Sequence, residues 1–284
     1  MAIGATRWAA FLLTPLLLAP AAATTAAADP MQQPSRLVGV WRMTGKGADG
    51  ATVLRLGDGD AELYRGPHCR AGGGSWKALP TGQFGARLTL NQVDCVAALN
   101  GDDQLWNVVA FRVAGANREL LDEHGQVVRT LRPGVRGHYP AAVLTPERKG
   151  ALDSPPTAPS RLIPGLTPTT PGALARAWTL PGPQGRDAVM FLHPDGALVL
   201  ADGCKRDAFG RWAAGPDGEF LAVVDRGGEL CPAAESVRSW LARAAGAHVV
   251  QAGAALAGTV GVLELYDENG SRLGAMSGDP NHWF

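Results

Sequence analysis

Two stretches of this chain space their rarest residues in the same way, so a fold that suits one stretch must suit the other. Trp41 stands 18 positions before Gly59 of an Asp58-Gly59 pair, and Trp178 stands 18 before Gly196 of an Asp195-Gly196 pair. Trp76 and Phe84 are 8 apart, as are Trp212 and Phe220, while Phe84 to Cys95 and Phe220 to Cys231 are each 11. Each phenylalanine follows a glycine and a polar residue, Gly82-Gln83 or Gly218-Glu219. A chain of 284 residues has room for two domains, each with its own core. The duplication therefore predicts two tandem modules, over residues 37–145 and 173–277.

Within each copy the local pattern is that of short strands and tight turns. Thr52 to Leu56 alternates apolar and polar residues, Val189 to Leu192 is the corresponding strand of the second copy, and the Asp-Gly pairs supply turns able to take positive φ. Strands resume over Ala61 to Tyr64 and Ala197 to Leu200. After each first cysteine comes a Gly-rich or polar connection, then Trp76 or Trp212, then a strand over Phe84 to Leu90 or Phe220 to Val224. Beyond Cys231 the period changes: Val237, Trp240, Leu241 and Ala244 fall on one face of a helix beginning near Pro232. The matching stretch of the first copy, Asp102 to Phe111, is expected to be helical too, although Val108 and Val109 are β-branched. Both copies end on similar hairpins, Glu119 to Gly125 and Glu264 to Gly270, whose acidic pairs belong to the turn. The expected class is α+β, predominantly antiparallel β, with a helix packed on the sheet of each module.

Residues 146–172 are dense in proline, including Pro155, Pro156, Pro159, Pro164 and Pro168, and are expected to be an extended linker. Residues 278–284 form a short tail.

Residues 1–28 carry the three parts of a secretory signal: Arg7, an apolar run from Phe11 to Leu18, and small residues ending at Ala28. Pro15 and Pro20 interrupt that run, leaving fewer than the ~20 apolar residues a membrane span needs. No cysteine lies near the cleavage point, so a lipid anchor there is ruled out. The expectation is a secreted or extracytoplasmic mature chain with no membrane span. With 26 basic and 26 acidic residues there is no electrostatic footprint for a nucleic acid.

An exported chain favours disulfides over thiols. Cys69 and Cys95 are 26 apart and Cys204 and Cys231 are 27 apart, one pair per copy, so of the three possible connectivities the repeat selects Cys69–Cys95 and Cys204–Cys231. Each loop closure is worth roughly 3–4 kcal/mol in the chain-entropy model. A zinc site using His68 is the rival reading, but there is no C-x-x-C pair and Gly203 stands where the first copy has His68.

The second copy resembles the META domain of the HslJ-like family of exported bacterial proteins. The resemblance rests on Leu174 to Trp178, Asp202-Gly203-Cys204, Gly210-Arg211-Trp212, Gly218-Glu219-Phe220, Cys231 with its following helix, and the final hairpin. In the family Asn usually follows the first cysteine; here it is Lys205, or Arg70 in the first copy. The resemblance implies a small β-rich module with a helix on its sheet, in cell-envelope or secreted proteins tied to stress or surface roles, and brings no catalytic residues with it.

The chain has no G-x-S-x-G, H-E-x-x-H, P-loop or G-x-G-x-x-G opening a helix. The histidines are scattered, the Asp267-Glu268 pair points apart, and the tryptophans sit at repeated positions suited to core anchors. The expected function is non-catalytic binding of an envelope or extracellular partner, without cofactor or metal; a secreted hydrolase with an unrecognised site is the alternative. Binding is expected on segments that differ between copies, chiefly Gly246 to Gly261 and the linker.

Overall fold

In a computed structural model the chain is described over residues 33–45, 52–57, 59–67, 69–90, 105–135, 139, 169–215, 218–225, 228–250 and 261–278. The predicted signal, Asp58, His68, Cys95, residues 146–168 of the linker and the tail beyond Gly278 lie outside the described residues.

The first module is an eight-stranded antiparallel sheet: β1 (Gly39–Gly45), β2 (Val53–Leu56), β3 (Asp60–Tyr64), β4 (Arg70–Ala78), β5 (Phe84–Leu90), β6 (Ala110–Ala114), β7 (Asn117–Leu121) and β8 (Val127–Arg132). The second repeats it with β9 (Ala177–Leu180), β10 (Ala188–Leu192), β11 (Ala197–Ala201), β12 (Asp207–Ala214), β13 (Phe220–Val224), β14 (Gly246–Val250), β15 (Val262–Tyr266) and β16 (Arg272–Gly278). Strand order is β5-β4-β3-β2-β1-β8-β7-β6 in one sheet and β13-β12-β11-β10-β9-β16-β15-β14 in the other. Every neighbour is therefore adjacent in sequence except where the last strand returns to the first.

Each sheet curls until its edge strands meet. Phe84 donates its N–H to Val109 O at 2.9 Å and Phe111 to Gly82 O at 2.7 Å; at the matching seam Phe220 donates to Ala245 O at 3.0 Å and Ala247 to Gly218 O at 3.0 Å. Closure of this kind removes exposed strand edges. The curl needs backbone to approach backbone closely at one corner, and a glycine two positions before the inner tryptophan allows it. A Cβ on Gly74 would lie 1.8 Å from Arg87 O, and one on Gly210 would lie 2.2 Å from Val223 O. The run Gly72 to Gly74, expected as a connection, is thus part of β4.

Two separate apolar cores fill the modules, one around Trp41, Leu54, Leu63, Trp76 and Phe84, the other around Trp178, Met190, Leu200, Trp212 and Phe220. Burying each such side chain fully contributes roughly 1.5–3 kcal/mol. The tryptophans are core anchors, and each indole N–H finds a carbonyl at the same sequence separation in both copies. Trp41 donates to Leu37 O at 2.7 Å and Trp178 to Leu174 O at 2.9 Å; Trp76 donates to Gly57 O and Trp212 to His193 O, both at 2.9 Å. Trp76 stacks on Phe84 and Trp212 on Phe220, with centroids 6.0 and 6.2 Å apart.

The expected helix exists in the second module as α2 (Pro232–Arg243), whose buried residues Ala233, Ala234, Val237 and Leu241 join that module's core. A single turn, α1 (Pro171–Leu174), precedes β9 and is capped by Thr170, whose hydroxyl accepts the Ala173 N–H. Thr169 is buried and accepts the Val249 N–H at 2.8 Å, so the end of the proline-rich stretch is already docked on the second sheet.

Two expectations are corrected. No helix covers the described part of Asp102 to Phe111, residues 105–111. There the chain makes a turn at Trp106 and enters the sheet, Val109 N bonding to Leu121 O at 2.9 Å and Val109 O accepting from Phe84. Sheet partners outcompete an i−4 bond for a β-branched Val108-Val109 pair. Nor is Gly246 to Gly261 a free insertion. Its first five residues are β14, paired with β15 from Gly246↔Tyr266 to Val250↔Val262, and they hold the seam; residues 251–260 lie outside the described residues.

Candidate functional site

The cysteines are the chemistry most visible in the sequence. Cys204 and Cys231 are bonded, with Cα atoms 6.2 Å apart. Cys69 is disulfide-bonded as well, and its expected partner Cys95 lies outside the described residues. Asp202 organises the second bridge. This buried carboxylate accepts the N–H of Cys204 at 2.6 Å, of Arg206 at 2.9 Å and of Cys231 at 3.3 Å. Burial alone would raise its pKa, yet these three N–H groups and the Arg206 charge outweigh burial and hold it below the usual value. Ligand atoms of Asp202, Cys204 and Cys231 lie within 4.8 Å of one another, but both sulfurs are committed to the disulfide. The loop also carries Lys205 at φ 70°, a left-handed conformation costly for a side chain with a Cβ.

The turn carboxylates serve the turns. Asp122 Oδ1 accepts the N–H groups of His124 and Gln126, and Asp267 Oδ1 those of Asn269 and Ser271, all at 2.8–2.9 Å. His193 also sits in a turn, exchanging backbone hydrogen bonds with Ala197 and Gly196, and His248 is buried on β14.

One charged motif escaped the sequence reading though it is spelled twice. Glu62-Leu63-Tyr64 precedes Arg70 as Glu264-Leu265-Tyr266 precedes Arg272. In each case the tyrosine hydroxyl donates to the glutamate, at 2.9 and 2.5 Å, and the arginine bridges its other oxygen at 2.9 and 3.0 Å. A register shift falls between Leu and Tyr in both hairpins. Burial and the adjacent glutamate push both tyrosines up to about 12, so they stay protonated donors rather than bases. The two motifs occupy different strands of their modules, β3–β4 in one and β15–β16 in the other, and act as hairpin braces.

A further arrangement of polar groups lies between the modules. Strands β4 and β5 of the first face β12 and β13 of the second, the same strand pair on each side. Such self-complementary contact is the arrangement of an isologous dimer, here made within one chain. Gly85 and Leu221, each one residue after its conserved-spacing phenylalanine, meet near the centre: a Cβ on Gly85 would lie 2.8 Å from Leu221 Cδ1. Arg87 spans the interface to Asp225 through two bonds of 2.9 and 3.3 Å. Lys77 reaches across to the C-terminal end of α2, donating to Leu241 O at 3.1 Å and Ala242 O at 2.5 Å.

The two flanks of this interface differ. On one, the Gly196 turn meets Val109, whose Cγ1 would lie 2.8 Å from an added Cβ, and the nearly inaccessible Arg211 fills the space, donating to Asp195 O at 2.5 Å. Burial draws that guanidinium down to about 10 against the pull of Asp195 and Glu123. On the other flank the equivalent Gly59 turn has no described residue within 4 Å of where its Cβ would be. A cleft of about 510 Å³ opens there between Gly59, Ser75 and Lys77 of the first module and Asp225, Ser239 and Ala242 of the second. Its size is that of a small-molecule site.

Sequence reasoning missed every polar residue of this cleft. Lys77, Asp225, Glu235, Arg238 and Ser239 belong to no motif, and only docking of the modules brings them together. None of the protein-family models, curated proteins or solved structures compared with this chain matches it.

Proposed function

We propose that this is an exported, non-catalytic binding protein built from two META-like modules, and that its ligand site is the cleft between them. The observation that carries this reading is the asymmetry of the interface: one flank is packed by Arg211 and Val109, and its counterpart is left open. Symmetric packing of both flanks would suffice if the interface served only to join the modules. The carboxylates in and around the cleft support binding over turnover, since Asp225 is held by Arg87 and Glu235 by Arg238. Export is supported by the tripartite N-terminus and is compatible with the Cys204–Cys231 disulfide. Among the described residues no helix is long and apolar enough to cross a membrane. An envelope or extracellular setting would place the cleft in contact with solutes or partners outside the cytoplasm.

The test is a fluorinated-fragment screen by ligand-observed NMR on the oxidised mature chain, alongside Ser239→Trp. Ser239 is exposed on α2 at the cleft wall, so the indole should block the cleft without touching the core. Fragments should bind the parent and lose at least about tenfold in affinity on the variant. A parent that binds nothing, or hits indifferent to Ser239→Trp, would remove the cleft from consideration.

A further inference from the structure

The charged groups of the cleft are not all paired with one another, and the exception selects a ligand class. Asp225 is satisfied by Arg87, and Glu235 is held by Arg238 through bonds of 2.5 and 3.3 Å. Lys77 is different: among the described residues no carboxylate lies within ion-pair distance of it, and its two hydrogen bonds go to neutral carbonyls. Those carbonyls end α2, so the ammonium also offsets the negative pole of the helix. An ammonium has three donors, and two are used. Beside it, the Ser75 and Ser239 side chains line the cleft, and neither hydroxyl bonds to another protein group among the described residues. Trp76 and Ala222 touch the cleft but belong to the module cores, so its apolar wall is Val223 and Ala242.

We propose, resting on the cleft reading above, that the ligand is a small organic monoanion, a carboxylate on an apolar body, with its acid group at Lys77 and the two serines. With Asp225 paired to Arg87 and Glu235 to Arg238, Lys77 is the lining cation without a carboxylate partner among the described residues, and one negative charge would complete it. A phosphate dianion would bring a second negative charge toward Asp225 and Glu235, whose own partners are already engaged. The apolar wall accounts for the rest of the ligand, which gains by leaving water.

The probe is naphthalene-2-acetate, set against the neutral naphthalene-2-acetamide and against 2-naphthyl phosphate, by calorimetry on the oxidised mature chain at low salt near neutral pH. The acid should bind at least about tenfold tighter than the amide, a difference of about 1.4 kcal/mol, and tighter than the phosphate. That preference should vanish in Lys77→Met and persist in Lys77→Arg. Wild type alone supplies a second readout independent of any variant's folding. Burial pulls the Lys77 amine down to about 8, so the acid-over-amide preference should fall as pH rises through that value. The other charged groups lining the cleft are Asp225, Glu235 and Arg238, with Arg87 bonded to Asp225. Equal binding of acid and amide, tighter binding of the phosphate, or a preference that survives both Lys77→Met and alkaline pH overturns the monoanion and leaves the cleft standing. Failure of all three probes to bind, with fragments also failing, overturns the cleft itself.

Discussion

Asp202 shows how one side chain ties chemistry to fold. Its two oxygens take backbone N–H groups from both ends of the Cys204–Cys231 bridge, so the loop after β11 and the start of α2 share one acceptor. The first module has Pro67 at the corresponding place and lacks this acceptor. Asp202→Ala should therefore destabilise the second module alone, by about 1–2 kcal/mol, because three part-buried N–H groups lose their acceptor. The pH dependence has a definite sign. The folded-state carboxyl titrates below its ordinary value, so its contribution is fully present above the unfolded pKa of about 3.9 and is lost as pH falls through the lower folded value. Acid titration of thermal unfolding should show a loss in wild type below about pH 4 that is flattened in the variant. A variant with unchanged melting and an unchanged acid limb would show that the bridge needs no such acceptor.

At the scale of elements, what was legible in the sequence was what local chemistry decides. Hairpins with Asp-Gly turns, indoles at repeated positions and the α2 stripe of Val237 and Leu241 each announce themselves within a few residues. The seam between β5 and β6 was not legible, since the pairing of Phe84 with Val109 joins segments that no short window contains. That same pairing is why residues 105–111 defeated a periodicity argument: Leu105, Val108 and Phe111 are buried, but their backbone is bound into the sheet. The helix that does form is held by a close fit against the sheet. Trp240 packs flat on Gly274 of β16, where an added Cβ would lie 2.5–2.6 Å from ring atoms. Gly274→Val should push the indole away and cost about 1–3 kcal/mol. Near-ultraviolet circular dichroism of Trp240 and the denaturant midpoint check it; a fully native signal at parent stability would mean that the helix tolerates a looser seat.

At the scale of the whole molecule, duplication is legible in residue spacing while docking is not, because the interface is made of single side chains that differ between copies. Lys77 has Ala213 as its counterpart, Gly85 has Leu221, and Arg87 has Val223. Divergence at these positions turns a self-complementary contact into an asymmetric one with one filled and one open flank. Each module keeps its own core, so breaking the interface should separate the modules without unfolding them. Gly85→Trp does this by placing a large ring where even a Cβ would approach Leu221 Cδ1 at 2.8 Å. The expected result is a larger radius of gyration by small-angle scattering with far-ultraviolet circular dichroism unchanged, and loss of fragment binding, because the cleft walls come from both modules. Retained binding in a separated chain would place the ligand site on one module. Unfolding together with separation would mean that neither barrel-like sheet is stable without the other.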